Sequence, residues 1–329
     1  MINAVLVTVV VVGFGHNFGM DHTEPRPVFL LGAIGDALGV PYEQAPGADP
    51  IQATFDLDDL AVPFVDSAYH KTKAGQWSDD TGMVLTLAKY LVRKNTRLPD
   101  LDGDGILAAY RQWMDDNPHL DKCIGGTIRK AVENHRAGLP GHQCGIQDST
   151  GSGTAMRVAP LGVVYARETS TVLNRLTTQE ASLTHKSLEA FAGSYLVARL
   201  ISLGLIGVRF RTAVEMAMLE VPEYWKTRVF QNTEAGLREY LPHLSGGMVY
   251  ETVPAAISAI THHKSVAQIL KAAVLPGGDA DTRAAIAGNI LGAWTTIDQV
   301  PTMWIATVVG EENITELDYR TQKLGKVLP

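Results

Sequence analysis

Two short acidic turns carry the chemistry most readily read from this chain: Ser78-Asp79-Asp80-Thr81 and Asp279-Ala280-Asp281-Thr282. Each stands directly before a helical stretch. Ser or Asp at that position is an ordinary helix N-cap, and acids in the first turn suit the positive end of the helix dipole. A cap accounts for one acid per turn. It does not account for two acids and a hydroxyl wedged between Gly277-Gly278 and the small-residue run Arg283-Ala-Ala-Ile-Ala-Gly288. Carboxylates gathered so tightly repel one another unless a cation lies among them. Together the turns offer six oxygen donors: Ser78, Asp79, Asp80, Asp279, Asp281 and Thr282. Oxygen-only ligation favours a hard cation, Mg²⁺ or Mn²⁺, over Zn²⁺. A set of this size could hold two ions, which polarise an oxygen and position a water. Spacing alone does not bring together turns so far apart in the chain.

A third acidic feature is Gly32-Ala-Ile-Gly35-Asp36-Ala-Leu-Gly39-Val-Pro41-Tyr-Glu43. Glycines every third or fourth residue let a second helix approach closely. Asp36, on so apolar a helix, is read either as a buried anchor for another helix terminus or as part of the surroundings of a metal. Glu43 follows the helix at a proline turn, where a carboxylate can enter a site from a loop or can simply be solvated.

The elements that must position these groups are mostly helical. Apolar residues recur at helical spacing over 28–39 and 81–94, where Met83, Val84, Leu87, Ala88 and Leu91 share a face. Further helices are expected over 106–114, 124–136, 179–203, 211–219, 253–261, 266–274 and 283–295. Strand candidates are few and no βαβ alternation, repeat or linker is visible. The reading is one all-α domain over 28–329 with long loops, the longest from Gln44 to Trp77.

Residues 1–27 are read as an extension, strand-like or disordered. The run Ala4-Val-Leu-Val-Thr-Val-Val-Val-Val12 is too short for a membrane-spanning helix and lacks the basic start of a signal peptide. Gly13-Phe-Gly15-His-Asn-Phe-Gly19 is a poor dinucleotide fingerprint, and the proline-containing stretch after it cannot open a helix for a pyrophosphate. A net charge of −7 argues against a nucleic-acid partner. The two cysteines, Cys123 and Cys144, have no metal-binding spacing and are expected as reduced thiols of a cytoplasmic protein.

Several segments in order resemble the ADP-ribosylglycohydrolase family: Gly-Asp-Ala-Leu-Gly-Val-Pro-Tyr-Glu at 35–43, Gly-Gln-Trp-Ser-Asp-Asp-Thr at 75–81, Gly-Ser-Gly-Thr-Ala-Met-Arg at 151–157, Leu-Thr-His at 183–185, Glu-Thr-Val-Pro-Ala-Ala at 251–256 and Gly-Gly-Asp-Ala-Asp-Thr at 277–282. The resemblance runs from about residue 28 to about residue 305. It implies an all-α fold, a single compact orthogonal helical bundle with a binuclear metal cleft. It implies Ser78, Asp79, Asp80, Asp279, Asp281 and Thr282 as ligands of two Mg²⁺ or Mn²⁺ ions, and Glu43 or Asp80 as the proton-handling carboxylate. Gly151, Ser152, Gly153, Met156 and Arg157 resemble the loop that cradles the diphosphate and distal ribose, consistent with backbone N–H groups binding phosphate. His185 resembles a histidine near that ligand, and is otherwise a core or capping residue. Ser152 stands where the family usually has Asn, and residues 1–27 have no counterpart.

The activity so implied is metal-dependent hydrolysis of the C1″ bond between ADP-ribose and a protein side chain, arginine favoured and serine also open. Its partners are then an ADP-ribosylated protein and ADP-ribose. Two alternatives are an immunity protein that neutralises an ADP-ribosylating toxin, by hydrolysis or by plugging with its N-terminus, and a non-catalytic ADP-ribose-binding protein. The last would be expected to lose ligands, and all six donors stand here.

Overall fold

The computed structural model describes residues 25–43, 63–94, 100–225 and 247–326. The strand-like run near the N-terminus and most of the long loop after Gln44 lie outside the described residues. Helices α1 (Val28–Gly39), α2 (Asp79–Lys94), α3 (Gly103–Asp116), α4 (Gly126–Arg136), α5 (Gly141–Cys144), α6 (Ala159–Val164), α7 (Ser170–Ser182), α8 (Leu188–Leu205) and α9 (Phe210–Glu220) are followed by α10 (Val249–His262), α11 (Val266–Val274), α12 (Ala280–Gly292), α13 (Thr302–Thr307) and α14 (Glu311–Lys326). Among the described residues the only sheet is a two-residue parallel pair, β1 (Ile146–Gln147) with β2 (His185–Lys186). The expected all-α class is therefore what the chain adopts.

The centre of the molecule is α1 against α12. Every residue of α1 is buried, as an all-round apolar helix demands. The two helices meet along glycines: a methyl at Gly35 would fall on the carbonyl of Ala284, and one at Gly288 on the carbonyl of Leu31. Close approach at this seam sets the acidic end of α12 beside the C-terminal end of α1, with Gly39 packed on the backbone of Asp281.

α1 has no cap of its own, since Pro27 precedes it and makes no side-chain bond. Asp318 of α14 serves instead, accepting from Phe29 N at 2.9 Å and Leu30 N at 3.0 Å. Arg26 is also held, its backbone bonded both ways to Gln322. Arg26, two residues before the expected boundary at Val28, is thus tied to α14. Asp318→Ala leaves two buried N–H groups at the start of the central helix without partners. It is expected to cost roughly 2–4 kcal/mol, read as a lower denaturant midpoint with an unchanged slope.

The long helix expected over 179–203 is in fact two, α7 and α8, broken at Leu183–Ser187. Ser187 caps α8 by accepting from Ala190 N at 3.1 Å. Thr184 O accepts from Ile146 N at 2.8 Å, which draws 184–186 into the short sheet. Both helices face one core, so the apolar pattern runs through the break unaltered. α8 is apolar and long enough to cross a membrane, but 78% of it is buried inside the fold, as a core helix is.

Candidate metal centre and its cleft

The two acidic turns meet. Thr282 Oγ1 donates to Asp80 Oδ2 at 3.2 Å across 202 positions of sequence. What aligns the first turn is Asp36, projecting from the glycine helix α1. It accepts from Ser78 N at 2.9 Å, from Thr81 N at 2.9 Å and from Thr81 Oγ1 at 2.6 Å. Asp36 is therefore the anchor of the α2 terminus. It also stands within the acidic group, because carboxylate oxygens of Asp36, Asp80 and Asp281 lie within 4.8 Å of one another. Ser78 keeps the cap geometry its sequence suggested, its Oγ accepting from Asp80 N at 3.2 Å and donating to Asp80 Oδ2 at 3.0 Å. Asp279 occupies the N-cap of α12 but makes no capping bond. Its carboxylate instead joins Glu43 and Asp281 in a second group, again within 4.8 Å.

The donor chemistry of these groups fits a hard divalent cation. Oδ1 of Asp80 and Oδ1 of Asp281 are buried with no hydrogen-bond partner among the described residues. Buried charge without a partner is costly, so such oxygens suit a cation or a proton. Burial first, then neighbouring negative charge, pushes the carboxyls of Asp80 and Asp281 well above the usual range, and burial followed by Asp36 does the same to Asp79. Burial raises Asp36 and Asp279 as well, against the hydrogen bonds that pull them down. Glu43 is pushed up to about 8, by burial first and then by Asp279. The nearby guanidinium of Arg283 is itself buried, and burial lowers it to about 10. It is occupied in tying down the carbonyls of Ala273 at 2.5 Å and Gly277 at 2.7 Å.

These shifts have a sign that can be tested. Each acid binds its proton more tightly in the folded state than in the unfolded chain. Folding therefore carries no penalty below the ordinary carboxylate range and a growing one above it. For Glu43 the window runs from its ordinary 4.5 to about 8. Protein stripped with a chelator is expected to melt at progressively lower temperature as pH rises from 5 to 8, and saturating Mg²⁺ to remove most of that fall. Identical melting curves with and without Mg²⁺ at pH 8 would count against the site.

The glycine loop forms the opposite wall. Ser152 N donates to Gly247 O at 2.8 Å, and Ser152 Oγ to Asp279 Oδ2 at 3.1 Å, which ties the loop to the acids. His185 lies under the loop. A methyl at Gly151 would sit 3.1 Å from its Nε2, and one at Gly153 3.0 Å from its Cε1. Burial, then the charge of Arg157, pushes this imidazole down to about 3, so it is neutral. Its Nδ1 is 2.8 Å from Thr184 Oγ1.

Of the residues expected on the ligand side, Gly151, Ser152, Gly153, Met156 and His185 line a cavity of about 180 Å³, with Glu43, Asp79, Asp80, Asp279, Asp281 and Thr282 on its other side. Ser78 and Arg157 do not line it. Ser78 is buried behind Asp80. Arg157 turns away beneath the loop. It pairs with Glu180 at 2.6 Å, donates to Gly153 O at 2.9 Å and to Thr184 Oγ1 at 2.8 Å, and stacks on Tyr110. It braces the loop from behind. The sequence reading missed Cys123, Gly125, Gly126, Thr127 and Gly247 on the cleft wall. The glycine pair Gly125-Gly126 at the start of α4 was the one signal that could have found some of them.

The ADP-ribosylglycohydrolase family model matches residues 26–326 of the chain. The chain is 28% identical to an ADP-ribosylarginine hydrolase of Pseudomonas putida, over 88% of this chain and 75% of that protein. It is 25% identical to a Rhodospirillum rubrum glycohydrolase named for ADP-ribosyl dinitrogen reductase, over 87% and 90% of the two chains. A human ADP-ribosylhydrolase is 26% identical, over 91% of this chain and 92% of its own. Among solved structures, an ADP-ribosylglycohydrolase-related protein complex superposes with a TM-score of 0.75 at 25% identity, covering 91% of this chain and 96% of that one.

Proposed function

The chain belongs to the ADP-ribosylglycohydrolase family, and on that premise we propose that it hydrolyses the C1″ bond of ADP-ribose on protein arginine, with two Mg²⁺ or Mn²⁺ ions as cofactors. The observation that carries this reading is the meeting of the two acidic turns around unpartnered oxygens of Asp80 and Asp281. Asp79, Asp80, Asp279, Asp281 and Thr282 would hold the ions, with Ser78 completing the set from behind Asp80. Bound there, the ions supply Lewis-acid stabilisation of negative charge developing on oxygen.

The chain's own residues divide the remaining work. Glu43 stands at the cleft with a carboxyl raised to about 8, so it can hold a proton near neutral pH and exchange it with a leaving group or a water. The backbone N–H groups of Gly151 and Gly153, on either side of the Ser152 N–H that is bonded to Gly247 O, suit the diphosphate. His185 and Arg157 keep that loop in shape from beneath, His185 as a neutral ring that brings no charge next to the acids. Water release from a buried cleft strengthens each of these interactions. Arginine as the leaving side chain is supported by the names of two relatives, ADP-ribosylarginine hydrolases 28% and 25% identical to this chain.

The test is incubation with arginine-linked and serine-linked ADP-ribosylated proteins in Mg²⁺, following free ADP-ribose. Release is expected from the arginine-linked protein at least tenfold faster. Faster release from the serine-linked protein would overturn the arginine assignment, and no release from either would overturn the function.

A further inference from the structure

Glu43 has a neighbour that the chemistry above does not use. It follows a single turn of 3-10 helix, Val40–Tyr42, so nothing on its own element fixes a long and rotatable side chain. Across the cleft lip, His70 places Nε2 2.5 Å from Glu43 Oε2. The histidine side chain is 1% exposed. The two atoms are in contact without the alignment of a hydrogen bond, and neither has a hydrogen-bond partner among the described residues, so each is the other's nearest polar match. The other ring nitrogen, Nδ1, lies 3.3 Å from the sulfur of Cys123, which itself lines the cleft. Tyr69 packs edge-on against the ring with centroids 4.7 Å apart.

We propose that His70, with its ring fixed by Cys123, is a positioning residue that holds the Glu43 carboxylate toward Asp279 and Asp281. The inference rests on the reading of Glu43 as the proton-handling group. The donor order assigned runs from Cys123 outward and applies while Glu43 is ionised. Cys123 is partly buried and faces carboxylates, and desolvation first, then the charges of Asp79 and Asp281, keeps it a thiol. Its S–H donates to Nδ1, and the neutral ring then carries its proton on Nε2, facing Glu43. A carboxylate oriented by an imidazole, itself oriented by a third group, is the usual way a second contact sets the geometry of a reacting one. A side chain that serves only the loop would need no partner at Nε2, since the loop turn is already closed by His70 N donating to Ser67 Oγ at 3.2 Å.

The experiment is steady-state release of ADP-ribose from arginine-ADP-ribosylated protein in saturating Mg²⁺, with ADP-ribose affinity measured by calorimetry on the same proteins. His70→Leu is expected to lower kcat tenfold or more while KM and ADP-ribose affinity stay within about twofold. His70→Gln, which keeps a donor at the reach of Nε2, is expected to recover at least half of the loss on a logarithmic scale. Cys123→Ala is expected to lower kcat severalfold and Cys123→Ser to restore it, which keeps the test open if His70→Leu does not fold. If Glu43→Gln loses activity but His70→Leu, or Cys123→Ala where His70→Leu does not fold, keeps kcat within twofold, the inference fails alone. If Glu43→Gln keeps full activity, the reading of Glu43 fails and the inference with it.

Discussion

Asp281→Ala is expected to reduce ADP-ribose release by about 10²-fold or more, since even the outer-shell partners of metal ligands are worth about 10–100-fold, while leaving the protein folded. Among the described residues Asp281 is the only carboxylate common to both acidic groups, the one with Asp36 and Asp80 and the one with Glu43 and Asp279. Its effect on stability should have the opposite sign. Burial and repulsion from Glu43 and Asp279 push its carboxyl well up, so in metal-free protein at pH 8 it is a strained group. Removing it relieves that strain, and the chelator-treated variant is expected to melt at or above the temperature of chelator-treated wild type. The same variant should gain little from added Mg²⁺. Better folding with lost function is the pattern of an active site whose residues are held against their own preferences. A variant that lost activity only in proportion to lost folding would identify Asp281 as structural.

The second large effect is expected at Asp36, and there it falls on stability. Asp36→Ala removes the acceptor for Ser78 N, Thr81 N and Thr81 Oγ1 in a fully buried setting. Leaving these donors without partners is expected to cost about 3–5 kcal/mol. The loss should also loosen the turn that carries Asp79 and Asp80, so activity falls with it. Asp36→Asn keeps one acceptor oxygen for the α2 terminus. It is expected to recover more than half of the stability. Recovery of stability without recovery of Mg²⁺-dependent activity would assign the carboxylate charge a part in the metal centre beyond its anchoring bonds. Denaturant unfolding of the three proteins in chelator, followed by kinetics in Mg²⁺, separates the two.

Much of the site could be read from residue type and order. The excess of acid in two turns before helices was visible, as was the small-residue helix carrying Asp36. What local pattern could not supply was the contact between Thr282 and Asp80, which exists only because α1 and α12 close along their glycines. Arg157 shows the converse. As the last residue of the glycine loop it looked like part of the ligand wall, but its partner Glu180 lies in α7 and draws it beneath the loop. The break between α7 and α8 was hidden because residues on both sides contribute to one apolar core. His70 and Cys123 carried no signal at all: neither has a motif around it, and their meaning comes from Glu43 lying between them and the acids. Asp318 was equally silent, its role set by a helix start nearly three hundred residues away.

The most direct test of the proposed metal dependence is release of ADP-ribose from arginine-ADP-ribosylated protein by the chelator-stripped full chain, before and after Mg²⁺ is restored. Release should be at background in chelator and should return on addition of Mg²⁺ to wild type but not to Asp281→Ala. Equal release with and without the metal, or full recovery by Asp281→Ala, would contradict it.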